Sequence, residues 1–523
     1  MIKKNEIYTV TAVDDGFGGE GIAKIDNFTV FVPYLIKGET AEIKILKVLS
    51  THAFGKIEKL ITKSEHRAEP KCPAFFKCGG CNFLHLSYEK QLEIKKNQVA
   101  ECMKKYCKVP VEVADCIGAE NPYNYRNKAQ YPFENETYGF YATRSHRLVP
   151  INSCLMQNEK DEGILKVVSQ YIKKSKAPIR HLYTRHSREN TMVVLVSKTA
   201  KLPFTNVLTK ELLSVCPEIK SIIVNVNSKD TNVILGEKNI TIYGTDTIEG
   251  YIGNTKFNIS PHSFFQVNSK QTEVLYNKAG ELLGENCGHI ADLYCGIGSI
   301  GLYLADKAEK ITGVEIVESA VKDAQINAKL NGIENARYIL GASEDILPTL
   351  IKNGEKIDAV ILDPPRKGCH KALLDCLLDT EIEKIVYISC NPATLARDLD
   401  ILSEKYTIST VTPVDMFPNT QHVETVVLLS QLKNSDSVTV ELSLDELEIT
   451  APEMKATYGQ IKEYVLNKYG FKISSLNIAQ IKQECGIIER ENYNKPSDDY
   501  KQPNCPKHKA DAIKEAFEHF RMI

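Results

Sequence analysis

The sequence predicts an α/β protein centred on a Rossmann-like domain, with an OB-like β-barrel before it. An α/β central domain joins the two, and a small, mainly helical C-terminal extension follows. Three observations predict this. Residues 256–433 repeat an apolar strand followed by a helical pattern, the signature of an open parallel sheet. Residues 1–62 carry short β-rich runs with Gly and Asp between them. The length of 523 residues is that of three or four domains, at about 100–200 residues each. Apolar residues at 43% and charged residues at 25% match ordinary globular protein. No apolar run long enough to span a membrane occurs, and MIKKNEIYTVTAVDDG lacks the apolar core of a secretion signal. A cytoplasmic location is therefore expected. A formal net charge of −2 gives no compositional sign of a nucleic-acid partner.

In order along the chain, residues 1–62 read as five strands: EIYTVTAVDD, GEGIAKID, FTVFVPY, ETAEIKILKVL and AFGKIEKLI. Barrels of this kind often bind single strands or RNA loops, although fold alone does not give function. Residues 63–255 form the central domain, opening with a cysteine cluster and a predicted helix, SYEKQLEIKKNQVAECMKKY. Lys63 to Lys108 holds ten Lys/Arg against five Asp/Glu, either a phosphate-contacting stretch or a solvated helix face. Strands such as TMVVLVS and SIIVNVNS then alternate with helices. Fifteen cysteines in a chain without an export signal point to metal, cluster or catalysis rather than disulfides. Cys216, Cys287 and Cys376 sit among apolar neighbours and read as core. Residues 434–523 look separate, with a strand-like SVTVELSLDELEI, two helical patterns (YGQIKEYVLNKYG and SSLNIAQIKQECG) and a Pro/Lys/Asp-rich segment. The helices could form a helix-turn-helix module, but the slightly acidic segment is assigned only as an accessory domain.

The domain at 256–433 carries the chemistry. HIADLYCGIGSIGLYLA is a strand ending in Asp292, a turn containing Gly296 and Gly298, and a helix. Glycines there let the backbone turn tightly and approach a ligand. Glu315 ends the next strand, placed to accept the ribose hydroxyls of a nucleoside cofactor. Gly296, Gly298 and Gly301 also satisfy a dinucleotide spacing, so NAD and S-adenosylmethionine both remain open on the turn alone. The strand ending in Asp363-Pro364-Pro365 favours the latter, since a dehydrogenase has no evident need for a carboxylate and rigid turn at this edge. Cys390 follows another strand, as a nucleophile or a buried structural thiol. Glu424 opens the last apolar strand, with His422 two residues earlier.

The segments SFFQVN, DLYCGIGSIGL, VEIVESAV, ILDPPRKG, ISCNPATLARDL and PNTQHVETVVLL together resemble the bacterial RNA (uracil-5-)-methyltransferases, and within them the 23S ribosomal RNA branch. The resemblance covers about residues 1–433, and its last three motifs are highly specific. It implies a class I methyltransferase domain in which Gln266, Tyr294, Glu315 and Asp363, with the Gly296 turn, bind S-adenosylmethionine. It implies Cys390 as nucleophile and Glu424 as the base that removes the C5 proton. Ser299 stands where relatives can carry Asn. Cys72, Cys78, Cys81 and Cys154 resemble the ligands of a [4Fe–4S] cluster, while spacing alone suits zinc equally. Residues 1–62 resemble a TRAM domain. Tyr125, Arg126, Asn127, Lys128 and Gln130 resemble a segment lying near the RNA, where aromatic and basic side chains suit splayed bases and phosphates; an ordinary strand is the alternative.

One thiol and one carboxylate are the minimum set for this reaction, because uracil C5 is too weak a nucleophile until a thiolate adds at C6. The expected partner is 23S rRNA, acted on by a monomer that receives a flipped base. The barrel and the four cysteines favour this branch over transfer RNA. A non-catalytic RNA-binding iron–sulfur protein is the alternative of another class, and the intact Asp363, Cys390 and Glu424 argue against it.

Overall fold

Alternation of apolar and polar residues gives each early strand one face to bury, and in the computed structural model of the chain those faces close on one another. Strands β1 (Ile7–Asp15), β2 (Glu20–Ile25), β3 (Phe28–Pro33), β4 (Thr40–Val48) and β5 (His52–Leu60) form a closed barrel ordered β1-β2-β3-β5-β4. Only β3 and β5 run parallel. Val10, Ala23, Val30, Ile43 and Ala53 fill the interior. The structure describes residues 2–229, 231–432, 458–485 and 505–520, in two units divided between Asp436 and Ser437.

Helix α1 (Tyr88–Tyr106) starts where the Ser87 side chain accepts a hydrogen bond from the Lys90 amide. Its buried face includes two lysines, Lys90 and Lys95. Lys90 pairs with Asp15 at 2.8 Å and Lys95 with Asp415 at 2.5 Å. At these two positions the basic stretch thus serves neither solvent nor phosphate, but ties α1 to the barrel and to a distant loop.

The central domain is a seven-stranded sheet ordered β12-β11-β10-β9-β6-β7-β8. Its strands and helices are β6 (Lys128–Glu134), β7 (Thr137–Tyr141), β8 (Leu148–Pro150), α2 (Asp161–Ser175), β9 (Ile179–Ser187), β10 (Asn190–Ser197), α3 (Thr205–Val215), β11 (Ile219–Val226) and β12 (Lys238–Gly244). Leu165 and Val168 of α2 and Leu212 of α3 pack in one core with Leu182 and Val193 of the sheet, and Cys216 is part of it.

A hairpin of β13 (Ile248–Ile252) and β14 (Thr255–Ile259) leads through α4 (Ser269–Leu283) into the doubly wound domain. There β15 (Cys287–Leu293), α5 (Ser299–Tyr303), β16 (Ala308–Glu315), α6 (Glu318–Leu330), β17 (Ala336–Leu340), α7 (Ser343–Lys352), β18 (Ala359–Leu362), α8 (Lys371–Asp379), β19 (Lys384–Ser389) and α9 (Pro392–Leu402) alternate. The chain ends this unit with β20 (Tyr406–Ile408), β21 (Thr412–Val414) and β22 (Glu424–Gln431). The sheet order is β17-β16-β15-β18-β19-β22-β20, with β21 also paired to β22. The first five strands run parallel, and β22 is antiparallel to β19. Helices on the faces explain why β18 is apolar and buried throughout.

The second unit consists, among the described residues, of α10 (Tyr458–Tyr469), α11 (Ser475–Glu484) and α12 (Lys507–His519). Two helices are expected from the sequence and three are found. Ile461, Val465, Ile478, Ile481, Ile513 and Phe517 share one core, so α12 supplies an apolar face that the first two helices need. The strand-like SVTVELSLDELEI and most of the Pro/Lys/Asp-rich segment lie outside the described residues. Among the described residues no helix is long and apolar enough to cross a membrane.

Candidate active site and cysteine cavity

Parallel strands end together at one edge of the sheet, and there their final residues or the next ones carry the polar groups. Tyr294 follows β15, Glu315 ends β16, Asp363 follows β18 and Cys390 follows β19. Because β22 is antiparallel, its first residue, Glu424, starts at that same edge. Ser389 pairs with Thr425, which sets Cys390 and Glu424 on neighbouring strands.

The charges at this edge feel one another. Burial pushes the Cys390 thiol up, as do the carboxylates of Glu424 and Asp363. Arg366 opposes them, its positive charge favouring the thiolate. Burial, then the charge of Asp363, holds the Glu424 carboxyl well above the ordinary range, again against Arg366. Burial alone pushes Asp363 up to about 7. The fully buried Tyr276 hydroxyl meets Ser299 Oγ at 2.9 Å. Burial, then the field of Asp363, keeps it protonated. Arg366 and Tyr276 are absent from the residues singled out in the sequence. The signal for Arg366 was present in DPPRKG, immediately after Asp363 and its prolines. Tyr276 lies on α4, with nothing in the linear pattern to link it to the edge.

The turn after β15 is built to receive a ligand closely. Gly296 and Gly298 have φ of +56° and +78°. A Cβ at Gly298 would stand 2.6 Å from the Tyr338 hydroxyl, whereas one at Gly296 would meet open space. The Glu315 carboxylate accepts from the Gly296 amide at 3.0 Å and the Val317 amide at 2.9 Å. Asp292 accepts from the Gly301 amide at 2.9 Å, and its other oxygen is buried without a partner. Burial, then Asp363 and Glu315, raises Asp292 to about 7, against the Gly301 amide. Ile316, Val317 and Leu340 are large apolar side chains left exposed around Glu315 and the end of β17. A pre-set acid, an open glycine and exposed apolar surface fit a nucleoside cofactor. Tyr294 stands in the turn with φ of +62°. The Gln266 carbonyl accepts from Asn127 Nδ2 at 2.8 Å, which ties its loop to the central sheet.

Cys72, Cys78, Cys81 and Cys154 line one cavity of about 300 Å³. Among the described residues no group of three or more His, Cys, Asp or Glu side chains could hold a metal ion. Four cysteine thiols are a donor set that zinc and an iron–sulfur cluster share. Burial raises Cys78, Cys81 and Cys154, and repulsion from the other cysteines adds to it. A cluster that takes thiolates would displace those protons.

The segment 125–130 borders this cavity. Tyr125, Arg126, Lys128 and Gln130 line it. Lys128 is drawn down to about 8 by burial, then by Arg185 and Arg126. The Tyr125 hydroxyl donates to the Pro418 carbonyl at 3.0 Å, and Asn127 Nδ2 also reaches Ser269 Oγ at 2.9 Å. The five residues are therefore brought between the cysteines, the Gln266 loop and the loop before β22.

Comparison with known proteins gives a consistent result. A sequence profile described as tRNA (uracil-5-)-methyltransferase matches residues 87–432, and one of the TRAM domain matches residues 3–57. An uncharacterized RNA methyltransferase of Clostridium tetani is 46% identical over 449 residues, 82% of this chain and 97% of its own. One from Listeria innocua is 43% identical over 450 residues, 82% of this chain and 99% of its own. The crystal structure of the Pyrococcus abyssi tRNA (uracil-54, C5)-methyltransferase in complex with S-adenosyl-L-homocysteine is 26% identical with a TM-score of 0.66, over 80% of this chain and 99% of that one.

Proposed function

The chain belongs to the tRNA (uracil-5-)-methyltransferase family and carries a TRAM domain, and from that premise we propose that it methylates C5 of a uridine in 23S rRNA through a covalent Cys390 adduct. The observation that carries the mechanism is the meeting of Cys390, Glu424, Asp363 and Arg366 at one sheet edge.

Gln266, Tyr294, Gly296, Glu315 and Asp363 would hold S-adenosylmethionine, which supplies an electrophilic methyl group. The Cys390 thiolate, favoured by Arg366, adds to C6 of a flipped uracil, and the ring electrons move to C5. After C5 has taken the methyl group, ionised Glu424 removes the C5 proton. The C5=C6 bond reforms and the C6–S bond breaks, returning the thiolate. Tyr125, Arg126, Asn127, Lys128 and Gln130 would position the RNA, together with the barrel. Cys72, Cys78, Cys81 and Cys154 would hold a [4Fe–4S] cluster with a folding or RNA-positioning role, since the reaction moves no net electrons.

The four-cysteine cavity supports the ribosomal branch. The second reading is m5U formation in transfer RNA, favoured by the Pyrococcus abyssi structure. Protein purified anaerobically and given labelled S-adenosylmethionine with unmodified 23S rRNA or tRNA distinguishes them by nucleoside analysis. Label in 5-methyluridine from 23S rRNA alone is expected. Label from tRNA alone overturns the substrate, and no 5-methyluridine from either overturns the proposal.

A further inference from the structure

Asn419 stands five residues before Glu424, in the turn joining β21 to β22. It is 2% exposed, and its φ of +65° is one that Asn tolerates better than most side chains. All its polar groups are engaged. Its amide donates to Gln91 Oε1 at 2.9 Å, and its Oδ1 accepts from Gln91 Nε2 at 3.2 Å. Its carbonyl accepts from the Asn82 and Phe83 amides, both at 3.1 Å, directly after Cys81. Its Nδ2 donates to the Pro122 carbonyl at 2.8 Å.

One turn along α1 from Gln91, Lys95 Nζ reaches Asp415 Oδ1 at 2.5 Å and the Phe417 carbonyl at 3.1 Å. The Tyr88 hydroxyl donates to Asp415 Oδ2 at 2.8 Å. Residues four apart share a helix face, so one side of α1 grips both ends of segment 415–419. The feet of this turn are Val414 and Glu424, which pair with each other. Cys390 and Asp363 directly follow other strands, β19 and β18. Loosening the turn would thus move Glu424 while leaving the nucleophile in place.

We infer that Gln91 and Asn419 are positioning residues for proton removal, setting where Glu424 stands against the adduct on Cys390. This rests on the reading of Glu424 as the base. In the step they serve, the C5–H bond breaks and its proton passes to the Glu424 carboxylate. The electron pair closes C5=C6, and the C6–Sγ bond breaks to release the Cys390 thiolate.

The test measures two steps on the full chain, using labelled S-adenosylmethionine and whichever RNA is methylated in the assay above. Methyl transfer is read in a single turnover, and the protein–RNA adduct on a denaturing gel. Glu424→Gln is the reference that must accumulate methylated adduct. Gln91→Met, of similar shape without the amide, is expected to transfer methyl within about twofold of the natural rate. Its turnover should fall roughly tenfold, with adduct accumulating. Asn419→Gly keeps access to positive φ and is read in the same way, which covers failure of Gln91→Met to fold. Equal slowing of both steps, or no adduct, in the folded variants overturns the inference while leaving Glu424 as base. No adduct with Glu424→Gln overturns the reading of the base and the inference with it.

Discussion

At the scale of single residues, the thiol proposed as nucleophile, Cys390, sits where electrostatics work mainly against it. Burial and two carboxylates disfavour the Cys390 thiolate, and Arg366 is the nearby group that favours it. In the proposed mechanism the thiolate is the nucleophile and Glu424 the base, so the rate of adduct formation should rise with pH below the thiol's pKa. Glu424 must also be ionised to act, and its raised pKa moves the rate in the same direction. Replacing Arg366 by Ala leaves the raising influences unopposed and moves the thiol further up. We expect the pH–rate curve for single-turnover methylation to move to higher pH, with the rate at neutral pH falling roughly tenfold for every pH unit the curve moves. An unmoved curve would separate Arg366 from the thiol. Cys390, Glu424 and Asp363 were legible in the sequence because Cys390 and Asp363 directly follow apolar strands and Glu424 opens one. Arg366 was not singled out, because its place in the chain does not say which groups its charge will face; its carbonyl accepts from Asn391 Nδ2 at 2.9 Å, which ties it beside Cys390.

At the scale of elements, α1 has a composition that misleads. Its lysines read as a solvated or phosphate-facing stretch, yet Lys95 is fully buried against Asp415. Nothing in the helix sequence names a partner 320 residues away. Lys95→Met would leave the Asp415 carboxylate buried without its counter-charge, at a cost of roughly 3–5 kcal/mol. The expected result is a large fall in the denaturant midpoint, recovered in part when Asp415→Leu is added. A loss below about 1 kcal/mol would mean that water reaches the pair. The cysteine loop reaches the same segment through the Asn82 and Phe83 amides, and Thr420 borders the cavity. With the proposed cluster bound, Cys81→Ser should lower iron and sulfide content after anaerobic purification. It should also speed amide hydrogen exchange across residues 415–424 relative to the loaded parent. Unchanged exchange with the iron lost would show that the cysteine loop does not support this turn.

At the scale of the whole molecule, the chain divides into two units, each with its own core. The cores of the doubly wound domain use no described residue beyond Leu429. A chain ending at Leu432 should keep its thermal midpoint and methylate within about twofold of full length, as expected where a boundary follows a completed core. A large loss would give residues 433–523 a part in RNA binding or folding. The sequence by itself determined the barrel, the alternating sheet and the order of polar groups along its edge, because these follow from local periodicity and from residues at strand ends. It also named the four cysteines that share a cavity, and of the last unit it showed two of the three helices found among the described residues. Only the tertiary structure decided that Glu424 opens an antiparallel strand beside Cys390, that Arg366 and Tyr276 join them, and that Gln91 and Lys95 hold the turn before Glu424. Those relations are contacts between segments far apart in the chain, and side-chain periodicity carries no information about which distant segment a buried polar group will meet.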